Sequence, residues 1–169
     1  MFLKSYTELE ADFRQVQSAM DRRPRRWLEG MAEDVRQEGE ELLLAVGFQV
    51  GGRRFDRAAR LDVGELVTTD RVASLPLRFS MDDHERLFPA MEGTLDAAWL
   101  GMGRTHLSLC LQYEPPLGIV GQGLDRALLH RVAEAVARQF LERAVVRIGR
   151  ELTPVVGRPE VAGRSEPAG

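Results

Sequence analysis

Apolar and polar residues alternate along 105–113. Leu107, Leu109, Leu111 and Tyr113 fall on one face, and His106, Ser108, Cys110 and Gln112 on the other. A period of two is that of a half-buried strand. Pro115-Pro116 follows and stops it, because proline lacks the N–H a ladder needs. After the glycine-rich stretch 118–123 the period changes. Leu128, Leu129, Val132, Val136 and Phe140 recur at spacings near three and four, with Arg126, Glu134, Arg138 and Glu142 mainly on the other side. The spacing predicts an amphipathic helix from about Leu124 to about Val146. At roughly 23 residues it would be about 35 Å long, enough to cross a small sheet.

The rest of the chain supplies that sheet. Phe2 to Thr7 reads as a first strand. Leu9, Phe13, Val16 and Met20 have helical spacing, and Pro24 suits the first turn of a second helix whose apolar side is Trp27, Leu28 and Met31. Strand-like runs follow at 41–48 and at 54–66, separated by Gly51-Gly52, a hairpin signal. Thr68-Thr69-Asp70 reads as a turn. From Val72 to Ser80, Leu75, Leu77 and Phe79 share one face, and Pro76 predicts an edge strand or a bulge. After a polar connection, Phe88 to Leu100 reads as a strand interrupted or bulged at Gly93, with Leu95, Ala97 and Trp99 inward. Gly101-Met102-Gly103 turns the chain into 105–113. Two helices, a run of antiparallel strands and one long helix define an α+β architecture. Residues 1–148 are expected to form one domain. Residues 149–169, rich in Pro, Gly, Glu and Arg, read as a disordered tail.

Composition narrows the function classes. The chain has 169 residues, 44% hydrophobic and 29% charged, with a net charge of −3. That suits a single globular core and argues against nucleic acid as a partner, which calls for a basic face. Arg22-Arg23-Pro24-Arg25-Arg26 reads as a solvated run. One cysteine, Cys110, excludes an intrachain disulfide and fits a cytoplasmic setting. Neither a signal peptide nor an apolar run long enough for a membrane helix is visible.

Three local words resemble the SRPBCC superfamily, which includes START domains, polyketide cyclases and birch-pollen-allergen-like proteins. They are Leu87-Phe88-Pro89-Ala90-Met91-Glu92-Gly93-Thr94-Leu95, Tyr113-Glu114-Pro115-Pro116-Leu117-Gly118 and Gly123-Leu124-Asp125-Arg126-Ala127-Leu128-Leu129-His130. They are similar to small bacterial members of uncharacterised function, over about residues 1 to 148. The resemblance implies a helix-grip fold: a bent antiparallel sheet wrapped around a long C-terminal helix, with two short helices after the first strand. It also implies a pocket between sheet and helix. Its lining would include Leu75, Leu77, Phe79, Leu95, Trp99, Leu107, Leu109, Leu111 and Tyr113, opposed by Leu129, Val132, Val136 and Phe140. Alternation alone fits a solid core equally well.

No catalytic constellation is legible. Gly47, Gly51 and Gly52 fall where birch-pollen-allergen-like members carry a glycine-rich loop, but its full spacing is missing and a hairpin is the better reading. The 118–123 stretch is not GxGxxG. Asp82-Asp83-His84-Glu85 has metal-ligand residue types in a spacing that does not converge on one ion, and His106 and His130 have no ligand-spaced partner, so neither metal nor cofactor is expected. Cys110 reads as inert. Arg57 stands out, because it shares a face with Phe55, Ala59 and Leu61, where it could anchor a carboxylate or phosphate. The leading expectation is binding or transport of a small hydrophobic or amphipathic ligand. A polyketide cyclase or aromatase assisted by Tyr113, Arg57 or Arg78 is the enzymatic alternative, and an interaction module with a filled core is a third. Oligomeric state is not legible.

Overall fold

The inner face of one antiparallel sheet organises the molecule. The computed structural model describes residues 1–28, 30, 31, 34, 37, 59–81, 90–113 and 126–152. In chain order these carry β1 (Phe2–Leu9), α1 (Phe13–Asp21), α2 (Pro24–Trp27), β2 (Ala59–Val63), β3 (Val67–Thr68), β4 (Val72–Met81), β5 (Met91–Gly101), β6 (Arg104–Tyr113) and α3 (Arg126–Leu152). Among the described residues the sheet runs β1-β6-β5-β4-β2, with β3 also paired to β4. With α3 packed against it and short helices early in the chain, this is the helix-grip architecture, α+β with the helices segregated from the strands.

Register turns the period-two pattern into ranks across the sheet. One rank is Leu3, Leu111, Gly93 and Leu77, and the next is Ser5, Leu109, Leu95 and Leu75. A third is Thr7, Leu107, Ala97 and Ala73. The leucines of all three are buried. A slip of one residue would expose every one of them, so burial fixes the pairing. Over this face lies α3, whose Val136, Ala137, Phe140, Leu141, Ala144 and Ile148 are buried at helical spacing. Glu134, Arg138 and Glu142 stay in solvent, as expected. With 27 residues, α3 is about 40 Å long. It continues through Leu152, four residues beyond the expected domain limit at 148, and Ile148 is fully buried in its last turns.

The first helices are tied to β6 at one end and to α3 at the other. Asp12 caps α1 by accepting the Arg14 N–H at 2.9 Å. Helix formation begins there rather than at Leu9, which closes β1 opposite Thr105. The buried Thr105 hydroxyl donates to the Ala11 carbonyl at 2.9 Å, tying β6 to the β1–α1 turn. At the other end Arg147 of α3 donates to the Trp27 carbonyl at 2.9 Å and lies 3.5 Å from an Asp34 carboxylate oxygen. Trp27, Leu28 and Met31 are buried as their spacing predicts.

Two turn-forming residues act differently from the sequence expectation. Pro76 lies on an interior strand, with Thr94 of β5 on one side. On its other side β2 stops at Val63 and β3 starts at Val67. Only Gly64 meets the proline there, donating to its carbonyl at 2.9 Å. The N–H that proline lacks therefore points at a break in the neighbouring ladder, where none is needed. Gly93 is not a bulge either, because it stays in register between Leu77 and Leu111. A Cβ there would lie 1.8 Å from the Cys110 carbonyl oxygen, so glycine allows β6 to approach closely. The irregularity in β5 falls between Trp99 and Gly101 instead. The expected Gly51-Gly52 hairpin and the strand at 41–48 lie outside the described residues, as does the first part of the expected 54–66 strand.

These close approaches give a test with two signs. Gly93→Ala is expected to cost about 3 kcal/mol or more, since backbone must move to admit the methyl group. Gly149→Ala, in α3 with open space around it, is expected to gain about 0.5–1 kcal/mol from helix propensity. Urea unfolding of the two variants against the parent chain measures both.

Candidate functional site

The sheet–helix seam gathers most of the expected lining. Leu75, Leu77, Phe79, Leu95, Leu107, Leu109, Leu111 and Tyr113 are all buried on the inner face. Val136 and Phe140 are buried opposite them, and Val132 is half-buried against the same core. The Phe79 and Phe140 rings meet edge to face, with centroids 5.2 Å apart. That contact carries α3 across to β4, and such pairs add about 0.5–1.5 kcal/mol beyond their area. Arg57 and the Leu129 side chain lie outside the described residues.

Trp99 is placed elsewhere. It shares the inner face of β5 but is 45% exposed, although Thr105 opposite it is fully buried. Its N–H donates to the Arg71 carbonyl at 2.8 Å, and the Arg71 guanidinium lies 5.2 Å from its ring centroid. Together with Asp12, Phe13, Arg14 and Asp70 these two residues line an open surface cleft of about 430 Å³. Trp99 thus belongs to the rim at the β5–β6 hairpin rather than to the seam under α3. The β5 irregularity just beyond it marks where the strand leaves the packed face. Arg78, considered as a helper in the seam, faces outward, where it pairs across strands with Glu92 at 3.2 Å. Cys110 also lies on the outer face, half-buried.

A polar chain crosses the seam at the far end of β6. The Tyr113 hydroxyl lies 3.2 Å from His130 Nδ1. His130 Nε2 lies 3.4 Å from a Glu134 carboxylate oxygen one helical turn on. Tyr113 is 4% exposed, and the side chains of His130 and Glu134 are 31% and 53% exposed, so the chain leads from the inner face to solvent. Tyr113 is held from both directions, pairing with Met91 of β5 and donating its N–H to the Met1 carbonyl at 2.9 Å. The Met1 ammonium donates in turn to the Tyr113 carbonyl. The sequence reading gave His130 no role. Its i,i+4 relation to Glu134 was visible, but Tyr113 is joined to it only when α3 folds back over β6.

Chemically, then, the seam is an apolar wall with one polar end. Among the described residues no group of His, Cys, Asp and Glu could hold a metal ion, and no helix is long and apolar enough to cross a membrane. No protein-family model matches the chain, and no curated protein matches it. Several solved structures are similar. A Rhizobium loti protein is 18% identical over 87% of this chain and 96% of its own, with a TM-score of 0.48. A Thermus thermophilus protein is 18% identical over 89% and 98%, with a TM-score of 0.46. The Zhui aromatase/cyclase of a Streptomyces species is 12% identical over 90% and 93%, with a TM-score of 0.39. Likenesses this distant carry no argument about activity. The helix-grip description rests on this chain's own sheet order and helix.

The aromatic contact that spans the seam supplies a prediction. Phe140→Ala is expected to destabilise the fold by about 3–5 kcal/mol through the cavity it leaves. Val146→Ala, on the exposed side of the same helix, is expected to change stability by less than about 0.5 kcal/mol. Thermal or denaturant unfolding of the pair separates packing from helix propensity.

Proposed function

We propose that the protein binds, and carries or presents, a small hydrophobic or amphipathic molecule held between the inner face of the sheet and α3. One observation carries this reading: the seam combines a largely apolar wall with a polar contact, Tyr113 to His130, at its end. Apolar surface supplies affinity through burial, and a few placed polar groups fix orientation. A ligand with a greasy body and one polar end matches that lining. Of the side chains named for the enzymatic alternative, Arg78 turns outward to pair with Glu92. The proposal places the chain with helix-grip proteins of the SRPBCC kind, supported by its three local sequence words and its element order. It also includes a cytoplasmic setting, supported by the lone cysteine.

Native mass spectrometry of the protein as purified, followed by a thermal-shift panel of fatty acids, fatty alcohols, sterols and aromatic polyketides, tests the proposal. A bound molecule in the mass range of such ligands is expected. So is a raised unfolding midpoint, because a ligand at a hundred times its Kd stabilises by about 2.7 kcal/mol. A protein that is always empty and shifts with no member of the panel would refute it.

A further inference from the structure

We infer that the open cleft beside Trp99 is a second binding site, separate from the seam, and that it takes an aromatic carboxylate. This does not depend on the ligand proposed for the seam. Two guanidiniums reach the cleft of about 430 Å³ from different elements, Arg14 from the first turn of α1 and Arg71 from the turn between β3 and β4. Among the described residues neither forms an ion pair with a carboxylate. Acidic groups are at hand, since Asp12 and Asp70 line the same cleft. The Asp12 carboxylate is engaged in capping α1 through the Arg14 N–H, and Asp70 pairs with neither arginine. Arg14 also stands in a first turn that holds no acidic residue, where the helix dipole opposes a cation. An anion in the cleft is stabilised by both guanidiniums and by that dipole.

The charges set the valence of the ligand and the indole sets its body. Arg14 and Arg71 against Asp70 leave one net positive charge, which a carboxylate balances and a doubly charged phosphate exceeds. The Arg71 guanidinium lies 5.2 Å from the Trp99 ring centroid, so an acid group held at Arg71 brings its body against the indole. Trp99 is 45% exposed, and a flat ring covers such a surface with little loss of conformational freedom. The turn that carries Arg71 is set in advance. Its carbonyl accepts the Trp99 N–H at 2.8 Å, and the Thr69 hydroxyl oxygen accepts the Val72 N–H at 3.0 Å. The cleft also has the size of a small-molecule site.

2-Naphthoate and 2-naphthalenemethanol, one ring with and without the charge, test this on the full chain by NMR of the indole N–H groups. The chain has two tryptophans. Trp27 is buried in the core and Trp99 lines the cleft, so a molecule in the cleft moves the Trp99 signal and leaves that of Trp27. Trp99→Leu assigns the two signals. Naphthoate is expected to shift the Trp99 signal saturably, and the alcohol to bind at least about tenfold more weakly. The naphthoate affinity is expected to fall about tenfold in Arg14→Gln and in Arg71→Gln, the usual worth of a hydrogen bond to a charged group. It is expected to rise about twofold in Asp70→Asn, which removes a like charge. All three residues are exposed, and unchanged unfolding midpoints certify that each variant is folded. A Trp99 signal that stays still at millimolar naphthoate, an alcohol that binds as well as the acid, or an affinity that is the same in Arg71→Gln as in the parent protein would overturn the inference. A shift of the Trp27 signal alone places the acid in the core and overturns it too, while the binding function of the seam stands.

Discussion

Covering the inner face of the sheet is the constraint on which everything else in this molecule depends. Leu75, Leu95, Leu107 and Leu109 form a continuous apolar surface that is fully buried beneath the helices, α3 packing mainly on β1 and β6 and α1 on β5 and β6. Each fully buried leucine stabilises by about 1.5–3 kcal/mol relative to an exposed one, so a sheet without its helix would lose most of its reason to stay folded. The helix must therefore be long, and it is secured at separate points along its length. Phe140 meets Phe79 on β4, and Arg147 reaches the Trp27 carbonyl and Asp34 near the first helices.

A flat sheet could not wrap a helix in this way. Two close approaches within the sheet depend on residues that subtract atoms rather than add contacts. Gly93 lets β5 and β6 approach at a point where any side chain would strike the Cys110 carbonyl. Gly64 does the same beside Pro76, where an added Cβ would lie 2.9 Å from the proline ring. Both sites sit on or beside the rank that joins Leu77 to Leu111 and Leu3.

Against this apolar background the pairing of Tyr113 with His130 is the feature that gives the seam a direction. The Tyr113 phenol meets His130 of α3, and His130 in turn lies beside the Glu134 carboxylate on the exposed side of the helix.

Much of this was legible in the sequence, for reasons that trace to local periodicity. The alternation at 72–80 and 105–113 and the stripe from Val132 to Phe140 predicted the strands, the helix and the apolar face of each, because which face of an element is apolar is a property of neighbouring positions. What failed was what depends on the neighbour across the sheet. Pro76 was read as marking an edge strand or a bulge, but a break between β2 and β3 accommodates it on an interior strand. Gly93 was read as an interruption or a bulge, but it stays in register where β6 approaches closely. Trp99 has the right parity for the seam yet is half-exposed at the open cleft beside Arg71, although Thr105 opposite it is buried. His130 carried its Glu134 signal in plain view, while Tyr113, seventeen positions away, could join it only through the turn of the chain. The sequence by itself determined which residues face inward, since that needs only the period of each element. The tertiary structure alone decided where strands approach closely, which inward residues are sealed and which tyrosine meets which histidine, because those depend on distances between elements that no local pattern encodes.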